Sequence, residues 1–332
     1  MYNSREKESA HSYSDKKYII ASFYKFVPIT NLDALQSTLY NFCWNLGISG
    51  TILLADEGIN GTIAGTKNSV KELYQWFCDQ PNLNGLQIKY SEDTSVPFHR
   101  LKVRIKKEIV TMGLPFIDPT NNKGKYVEAD KWNEFISQED VIVIDTRNFY
   151  ETSIGKFKGS IDPKTKTFRD FPKWVDEFAN NKVYKGKKIA MYCTGGIRCE
   201  KATSFMIEKG FDEVYHLKGG ILKYLETVPE NDSNWEGDCF VFDQRISVKH
   251  NLKQGDFKQC YGCKMPLSEK DYSDKNYIKG ISCPYCYDKL TDDQKNRFAQ
   301  RQKQIELSEI RGEGHIGENS TSFKKIKVNK LG

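Results

Sequence analysis

The sequence lacks the features that would place the chain in a membrane or outside the cell. No run of apolar residues approaches the roughly 20 that a helix needs to cross a bilayer. The N-terminal segment up to Lys17 is too rich in charge for a secretory signal peptide. No pattern typical of a flavin, haem, non-haem iron or nicotinamide site is recognisable. The first two absences predict a cytoplasmic protein that does not interact with a membrane. No protein partner is implied by the sequence.

The length and the few cysteines limit the possible organisation. With 332 residues the chain is long for one hydrophobic core and fits two or three domains. Of the nine cysteines, four form two Cys-x-x-Cys pairs and one lies in a Gly-rich loop. This usage indicates metal ligands and a catalytic thiol rather than a disulfide framework.

Positive charge is concentrated at the C-terminal end. The formal net charge is +6, and residues 246–332 hold 17 Lys and Arg against 11 Asp and Glu. This excess suits a polyanionic partner such as RNA, because phosphate contacts supply most nonspecific nucleic-acid affinity. A solvated basic tail without such a partner is the alternative.

The first hundred or so residues show the element order βαββαβ. The predicted strands and helices are, in chain order, Tyr18–Phe26, helix Leu32–Leu46, Thr51–Ala55, Thr62–Ala64, helix Val70–Phe77 and Leu101–Val110. Asn31 and Ser69 are predicted to begin the two helices, and Gly47 to end the first. The order predicts a ferredoxin-like α+β sandwich.

The middle of the chain alternates short apolar strands with helical patterns. Residues 141–145 (VIVID) and Lys188–Tyr192 are almost wholly apolar, as expected of parallel strands buried on both faces. Helical patterns at Asp130–Ile136, Lys201–Lys209 and Leu222–Thr227 alternate with them. This order predicts an α/β domain with a doubly wound parallel sheet, whose chemistry lies at the carboxyl ends of its strands.

These patterns divide the chain into three folded modules, a linker and two tails. We expect a disordered tail (1–16), a ferredoxin-like domain (17–113), a linker (114–125), an α/β domain (126–235), a Cys-rich module with the charged helix Thr291–Ile310 (236–311) and a disordered basic tail (312–332).

A reactive thiol is predicted at Cys193, which ends the second apolar strand. Gly195 and Gly196 let the backbone curl around the sulfur, and a helix begins near Arg198. Loop amides and a helix N-terminus then face the sulfur, which should lower the thiol pKa and stabilise a thiolate or persulfide. Cys199 could resolve an oxidised sulfur by forming a disulfide. Alternatively, Cys199 is a half-buried residue at the start of the helix.

The length of this loop distinguishes two kinds of chemistry. Cysteine phosphatases of this architecture place five residues between Cys and Arg, whereas four, Thr194 to Ile197, intervene here. The tighter ring favours sulfur or a small adduct over a phosphoryl group.

Four sequence segments resemble a known family. The segments VIVIDTRNFYETSIGKFKGSI and IAMYCTGGIRCEKA are similar to the two signature segments of rhodanese domains. With ADEGINGTIAG before them, and HLKGGI and a double Cys-x-x-Cys module after them, residues 18–312 resemble the bacterial tRNA uridine hydroxylases with a central rhodanese domain. In rhodanese domains the Asp-x-Arg after the first strand braces the active-site region, a role that falls here to Asp145 and Arg147.

The resemblance implies a reaction that spacing and composition do not show. It implies oxygen-dependent 5-hydroxylation of the wobble uridine of tRNA, with molecular oxygen as co-substrate and the rhodanese cysteine required. Addition of the Cys193 thiolate at C6 of uracil would make C5 nucleophilic. Two alternatives remain open: a sulfurtransferase that passes persulfide sulfur from Cys193 to tRNA or small acceptors, and a noncatalytic RNA-binding protein.

The paired cysteines predict a structural zinc site. Cys260 and Cys263 are separated by nineteen residues from Cys283 and Cys286, the spacing of a zinc ribbon. Four thiolates on two such turns satisfy the tetrahedral preference of Zn²⁺ and leave no open position.

A row of cations is predicted on one face of the strand LKVRI. Its members, here called the cationic row, are Arg100, Lys102, Arg104 and Lys106, and they alternate with Leu101, Val103 and Ile105. The row suits a tRNA backbone. An ordinary solvated sheet face explains the same pattern.

Overall fold

The computed structural model describes residues 17–94 and 97–311. Both predicted disordered tails, 1–16 and 312–332, lie outside the described residues.

The N-terminal domain is a five-stranded sheet with two helices packed on one face. Its elements are β1 (Tyr18–Phe26), α1 (Leu32–Asn45), β2 (Ser49–Ala55), β3 (Gly58–Gly65), α2 (Lys67–Asp79), β4 (Gln87–Asp93) and β5 (Leu101–Ile105). The strand order is β4-β1-β3-β2-β5. The first four strands with the two helices form the expected ferredoxin-like sandwich.

The prediction of the last strand of the sandwich was wrong. The fourth strand is β4, which pairs antiparallel with β1, whereas Leu101–Ile105 is a fifth strand added parallel to β2. It also ends at Ile105 and not at Val110. The sequence QIKYSED escaped detection because only Ile88 and Tyr90 supply apolar character to an edge strand.

The predicted start of the first helix at Leu32 is confirmed, with Asn31 in the N-cap position, but the predicted start of the second helix was wrong. Asn31 adopts a left-handed conformation with φ 58° and makes no side-chain cap hydrogen bond. The second helix begins before Ser69, whose backbone N–H donates to the hydroxyl of the true cap, Thr66, at 3.2 Å. Gly47, at φ 64°, ends the first helix as predicted.

The two faces of this sheet have different partners. Ala21, Phe23, Ile52 and Val103 point to the helices and join one buried cluster, which holds the domain core. The opposite face faces the rest of the molecule. Since residues paired on neighbouring strands project to the same side, this second face has continuous transverse rows. One row runs through Lys89, Ser22, Thr62, Thr51 and Lys102.

The central domain contains a four-stranded parallel sheet. Its elements are β6 (Lys125–Val127), α3 (Trp132–Ile136), β7 (Val141–Asp145), α4 (Phe149–Thr152), β8 (Gly155–Phe157), α5 (Phe171–Ala179), β9 (Lys188–Tyr192), α6 (Ile197–Glu208), β10 (Val214–Leu217), α7 (Gly220–Thr227) and β11 (Trp235–Gly237). The order is β6-β10-β9-β7, with every pair parallel. Both predicted strands, 141–145 and 188–192, are confirmed.

Three predicted helices of this domain start at other residues. The helices begin at Trp132, Ile197 and Gly220, while the predictions began at Asp130, Lys201 and Leu222. Two separate apolar clusters pack against the sheet, one around Trp132 and Tyr224 and the other around Phe171.

The remaining chain forms small pairs of strands and a long helix. Its elements are β12 (Cys239–Phe240), β13 (Ser247–Val248), β14 (Lys258–Gln259), β15 (Pro266–Leu267), α8 (Glu269–Tyr272) and α9 (Asp292–Ile310). Short 3₁₀ helices complete the structure at Phe168–Asp170, Lys182–Tyr184, Glu230–Asp232, His250–Leu252 and Tyr287–Lys289. Within the described ranges, no helix combines the length and the apolar character that spanning a bilayer requires.

Candidate active site

Cys193 lies directly after β9, at the carboxyl edge of the parallel sheet, and its sulfur is enclosed by the following loop. The Gly196 N–H donates to Cys193 Sγ at 3.0 Å. Gly196 adopts φ +103°, a conformation that favours glycine, and a Cβ there would lie 2.9 Å from the Tyr24 hydroxyl. Gly195 has no such conformational requirement: its Cβ would only make an ordinary contact of 3.7 Å with Lys89 Nζ.

The surroundings of Cys193 favour a thiolate. Burial would raise the pKa of the Cys193 thiol, but the Cys199 thiol, the Arg198 guanidinium and the loop amides together lower it to about 5. Burial and the neighbouring Cys193 raise the pKa of Cys199 well above its ordinary value. Cys199 therefore remains a thiol that donates to the Cys193 thiolate, and its Sγ also lies 3.5 Å from Thr146 Oγ1.

Arg198 is held by a buried carboxylate. Its two terminal nitrogens donate to the oxygens of Glu151 at 2.7 and 2.6 Å. Arg198 is 7% exposed and the Glu151 side chain is fully buried. The pair fixes the guanidinium near the sulfur, where its charge favours the thiolate.

Asp145 and Arg147 form a second buried pair at the end of β7. The Asp145 carboxylate accepts from both Nε and Nη2 of Arg147, at 2.9 and 2.7 Å. Arg147 Nη2 also donates to the Gly155 carbonyl at 2.6 Å, and Trp235 lies 5.1 Å from its guanidinium. The polar groups of this pair are thus engaged by other groups of the protein. The pair lies at the end of the first strand of the resemblance, the position from which it is expected to brace the active-site region.

Two residues of the N-terminal domain reach into the Cys193 loop. Lys89, on β4, donates from Nζ to the carbonyl oxygens of Gly195 and Gly219, the latter at 2.6 Å. Burial lowers the pKa of Lys89 to about 8, although the Cys193 thiolate and Glu200 oppose this shift. Tyr24, on β1, donates to Glu200 Oε1 at 2.8 Å. The Cys193 loop and the helix after it are therefore held in place by hydrogen bonds from the N-terminal domain.

Helix α6 also carries an ion cluster that joins the domains. Lys201 has a side-chain exposure of 0% and donates to Glu57 Oε2 at 2.7 Å and to Glu108 Oε2 at 2.6 Å. Glu57 belongs to the turn between β2 and β3, inside the segment ADEGINGTIAG. Glu57 Oε1 accepts from the Ile109 N–H, which fixes the carboxylate for Lys201.

The two domains and the β12–β13 hairpin enclose a cavity of about 600 Å³ that contains Cys193. One wall is the second face of the N-terminal sheet, with Ser22, Thr51 and Thr62. The lining also includes Phe242 and Asp243 of the hairpin tip, defined as residues 241–246.

The cationic row lies at the edge of the cavity face. Lys102 and Arg104 pair with Thr51 and Leu53, which line the cavity, so the four side chains project to the same side of the sheet. Arg100, Arg104 and Lys106 are exposed. Burial and the charges of Arg100 and Arg104 lower the pKa of Lys102. The mutual repulsion favours a bound anion at this edge.

The four paired cysteines converge in the C-terminal module. The sulfurs of Cys260, Cys263, Cys283 and Cys286 all lie within 4.8 Å of one another. Three Sγ–Sγ distances are 3.9, 3.6 and 3.7 Å. A zinc ion with four sulfurs at about 2.3 Å requires S–S edges of about 3.8 Å, so the donor set fits tetrahedral zinc.

Several residues of the site were not identified from the sequence. They are Tyr24, Glu57, Lys89, Glu108, Glu151, Glu200, Lys201, Asp243 and Arg245. Glu57, Glu151, Glu200 and Lys201 stood within segments that carried the family resemblance, but no local pattern shows which distant residues they bind. Lys89 lies in the strand that was missed.

The fold and the Cys193 loop define a multidomain protein built around a rhodanese domain. Two family models match the chain: the "UPF0176 acylphosphatase like domain" over residues 18–109 and the "Rhodanese-like domain" over residues 128–227.

Curated relatives match almost the whole length. A protein of Teredinibacter turnerae named "tRNA uridine(34) hydroxylase" is 52% identical over 307 residues, which are 92% of this chain and 95% of the relative. A protein of the same name from Agrobacterium fabrum is 53% identical over 300 residues, 90% of this chain and 95% of the relative. The chain belongs to the tRNA uridine(34) hydroxylase family.

Proposed function

We propose that the protein hydroxylates C5 of uridine 34 in tRNA, with molecular oxygen as co-substrate and Cys193 as the reactive residue. The observation that carries this proposal is 52% identity over 92% of the chain to a relative named for that reaction. A thiolate that lines a cavity of about 600 Å³ supplies a fitting reactive group. A reaction on tRNA implies the cytoplasm as its place.

Cys193 would act as a nucleophile toward the uracil ring. Its thiolate adds to C6, and the electrons of the C5–C6 double bond move toward C5 and O4, which makes C5 nucleophilic. C5 then attacks O₂ and forms a bond to one of its oxygen atoms. The other atom leaves as water, with two electrons and two protons from a thiol reductant that becomes a disulfide. Expulsion of the Cys193 thiolate and loss of the C5 proton restore the aromatic ring.

Other residues would support this chemistry without reacting. Arg198, fixed by Glu151, and the Cys199 thiol keep Cys193 ionised. The cationic row would bind tRNA phosphates beside the cavity, because it combines adjacent positive charges with a position on the cavity face. Asp145 and Arg147 would hold the end of β7 in place.

We further propose that Cys260, Cys263, Cys283 and Cys286 hold one structural zinc ion. The S–S distances match the edges of a zinc–thiolate tetrahedron. The ion would stabilise the C-terminal module and take no part in the reaction, since four protein ligands fill its coordination sphere.

The deciding experiment identifies the atom delivered to tRNA. Purified protein, tRNA, a thiol reductant and ¹⁸O₂ should give labelled 5-hydroxyuridine at position 34, and the reaction should stop under argon. Nucleoside mass spectrometry distinguishes this product from thiouridine. The loop around Cys193 would also suit a persulfide, so thiouridine formed anaerobically from a sulfur donor, with no 5-hydroxyuridine in air, would overturn the proposal in favour of a sulfurtransferase.

A further inference from the structure

Phe242 is an exposed aromatic side chain between two buried neighbours. Its exposed fraction is 61%, whereas its neighbours Val241 and Asp243 are 5% and 8% exposed. Single exposed apolar residues are common on protein surfaces. Phe242 differs because it lines the cavity that contains Cys193.

The backbone on both sides of Phe242 is held firmly. The Val241 N–H donates to the Ile246 carbonyl at 2.9 Å, which closes the hairpin tip. Inside the tip, Asp243 and Arg245 form a buried ion pair with a 2.6 Å contact. Arg245 Nη1 also donates to Ser91 Oγ on β4 at 3.0 Å, which anchors the tip to the N-terminal sheet. The backbone that carries the exposed Phe242 ring is thus fixed by hydrogen bonds and an ion pair.

The Phe242 ring has one contact near the reactive loop and one within its own hairpin. The Arg198 guanidinium carbon lies 6.0 Å from the centroid of the Phe242 ring, and Arg198 is in the first turn after the Cys193 loop. The Phe240 ring meets Phe242 edge to face at a centroid distance of 5.2 Å. Phe242 is therefore an aromatic surface in the same cavity as the thiolate.

We propose that the base of the target uridine stacks on Phe242 when it enters the cavity. Proteins that bind single-stranded RNA place unstacked bases on aromatic side chains. A negatively charged strand is favoured here, because Lys102 and Arg104 project to the cavity side of the sheet. The occupant is thus a nucleotide of a single-stranded RNA loop. The identity of that nucleotide rests on the proposed function.

Kinetics with three substitutions separate stacking from simple apolar cover. Phe242→Ala should reduce kcat/KM for tRNA about tenfold, mainly through KM, because stacking binds the ground state and the transition state alike. Phe242→Trp should retain activity. Phe242→Leu keeps apolar volume without a ring and should resemble the Ala variant. Full activity of the Leu variant would show that Phe242 only covers the cavity, and would overturn the proposal.

A matched control and a thiol assay guard against indirect effects. Phe116→Ala removes a phenylalanine that is 68% exposed and does not line the cavity, so its kcat/KM should not change. Alkylation of Cys193 by iodoacetamide should proceed at the same rate in the Phe242→Ala and wild-type proteins. A slower rate in the variant would mean that the loop had moved, and stacking would then not account for the loss.

Photocrosslinking tests the contact without turnover. An anticodon stem-loop with 5-iodouridine at position 34 should crosslink, in a Cys193→Ser background, to the peptide that contains Phe242. Crosslinks confined to other peptides would overturn the proposal. This result is independent of the reaction catalysed: thiouridine formation by the wild-type protein would refute the hydroxylase, while the crosslink would still decide on stacking.

Discussion

Lys201 is a buried cation between two carboxylates, and its replacement by methionine measures how strongly this cluster joins the domains. Methionine approximates the length of the stem but removes the charge. Glu57 and Glu108, whose side chains are 17% and 4% exposed, would lose their shared counter-charge. Removal of one partner from a buried pair costs about 3–5 kcal/mol. We expect about 3 kcal/mol, because backbone N–H groups still donate to both carboxylates.

The effect should depend on pH in a defined direction. Burial raises the pKa of Glu108, but Lys201 and the backbone amides of Met112 and Gly113 outweigh it, and the net pKa is below the ordinary value. The stabilisation from Glu108 is therefore present above the unfolded-state pKa and is lost as the pH falls through the folded-state pKa. Without Lys201 the carboxyl group protonates more readily. The difference between variant and wild type should shrink between pH 7 and pH 4.

The assay is urea unfolding of wild-type and Lys201→Met proteins at several pH values. Lys218→Met is the matched control, because Lys218 pairs with Glu128 at the surface, with side chains 43% and 59% exposed. Such a pair contributes about 0–1 kcal/mol. Adding Glu108→Gln to Lys201→Met should restore part of the stability. A Lys201→Met protein no less stable than Lys218→Met would refute a linking role for the cluster.

Three further predictions concern the thiol, the metal and RNA binding. Cys193→Ser should abolish 5-hydroxyuridine formation without unfolding the protein. The alkylation rate of wild-type Cys193 should stay constant from pH 8 to pH 6 and should fall below pH 5, since the thiol pKa is about 5. A pH midpoint near 8.5 would contradict the proposed thiolate. Metal analysis should find about one zinc per chain, which Cys260→Ser releases while the rhodanese domain stays folded; zinc-free protein prepared without chelator would refute the site. Replacing Arg100, Lys102 and Arg104 by Gln should weaken tRNA binding and reduce the log–log salt slope by about 0.7–0.9 per lost phosphate contact. The control protein has three other exposed lysines replaced, Lys71, Lys131 and Lys173. An equal salt slope for the two proteins would show that the cationic row is an ordinary solvated face.

The sequence was most informative where a single local rule determines the structure. The strands 141–145 and 188–192 were predicted at their observed bounds, since a continuous apolar run between polar loops leaves little freedom. Cys193 followed from the same logic, because a strand, a Gly-rich loop and a helix in sequence place the sulfur near backbone amides. The Cys-x-x-Cys spacing likewise predicted four converging sulfurs.

Contacts between domains could not be predicted from the sequence. Lys89 is 106 residues from the Gly195 carbonyl that it binds, and Lys201 is 144 residues from Glu57. No periodicity records such partners. The start of α2 was mispredicted for a related reason: Thr66 and Ser69 are both good caps, and only the observed hydrogen bond decides between them.

Because of its contacts with Lys89 and Tyr24, the rhodanese domain of this chain is unsuited to replacement by a rhodanese domain from another protein. Transplanted alone, it would leave the carbonyls of Gly195 and Gly219 without their lysine, and Glu200 without the Tyr24 hydroxyl. A chimaera that receives a rhodanese domain from a distant protein would meet the converse problem, a buried lysine with no acceptors. Successful domain swaps should therefore transfer β1 and β4 together with the central domain, so the two domains should evolve as one unit.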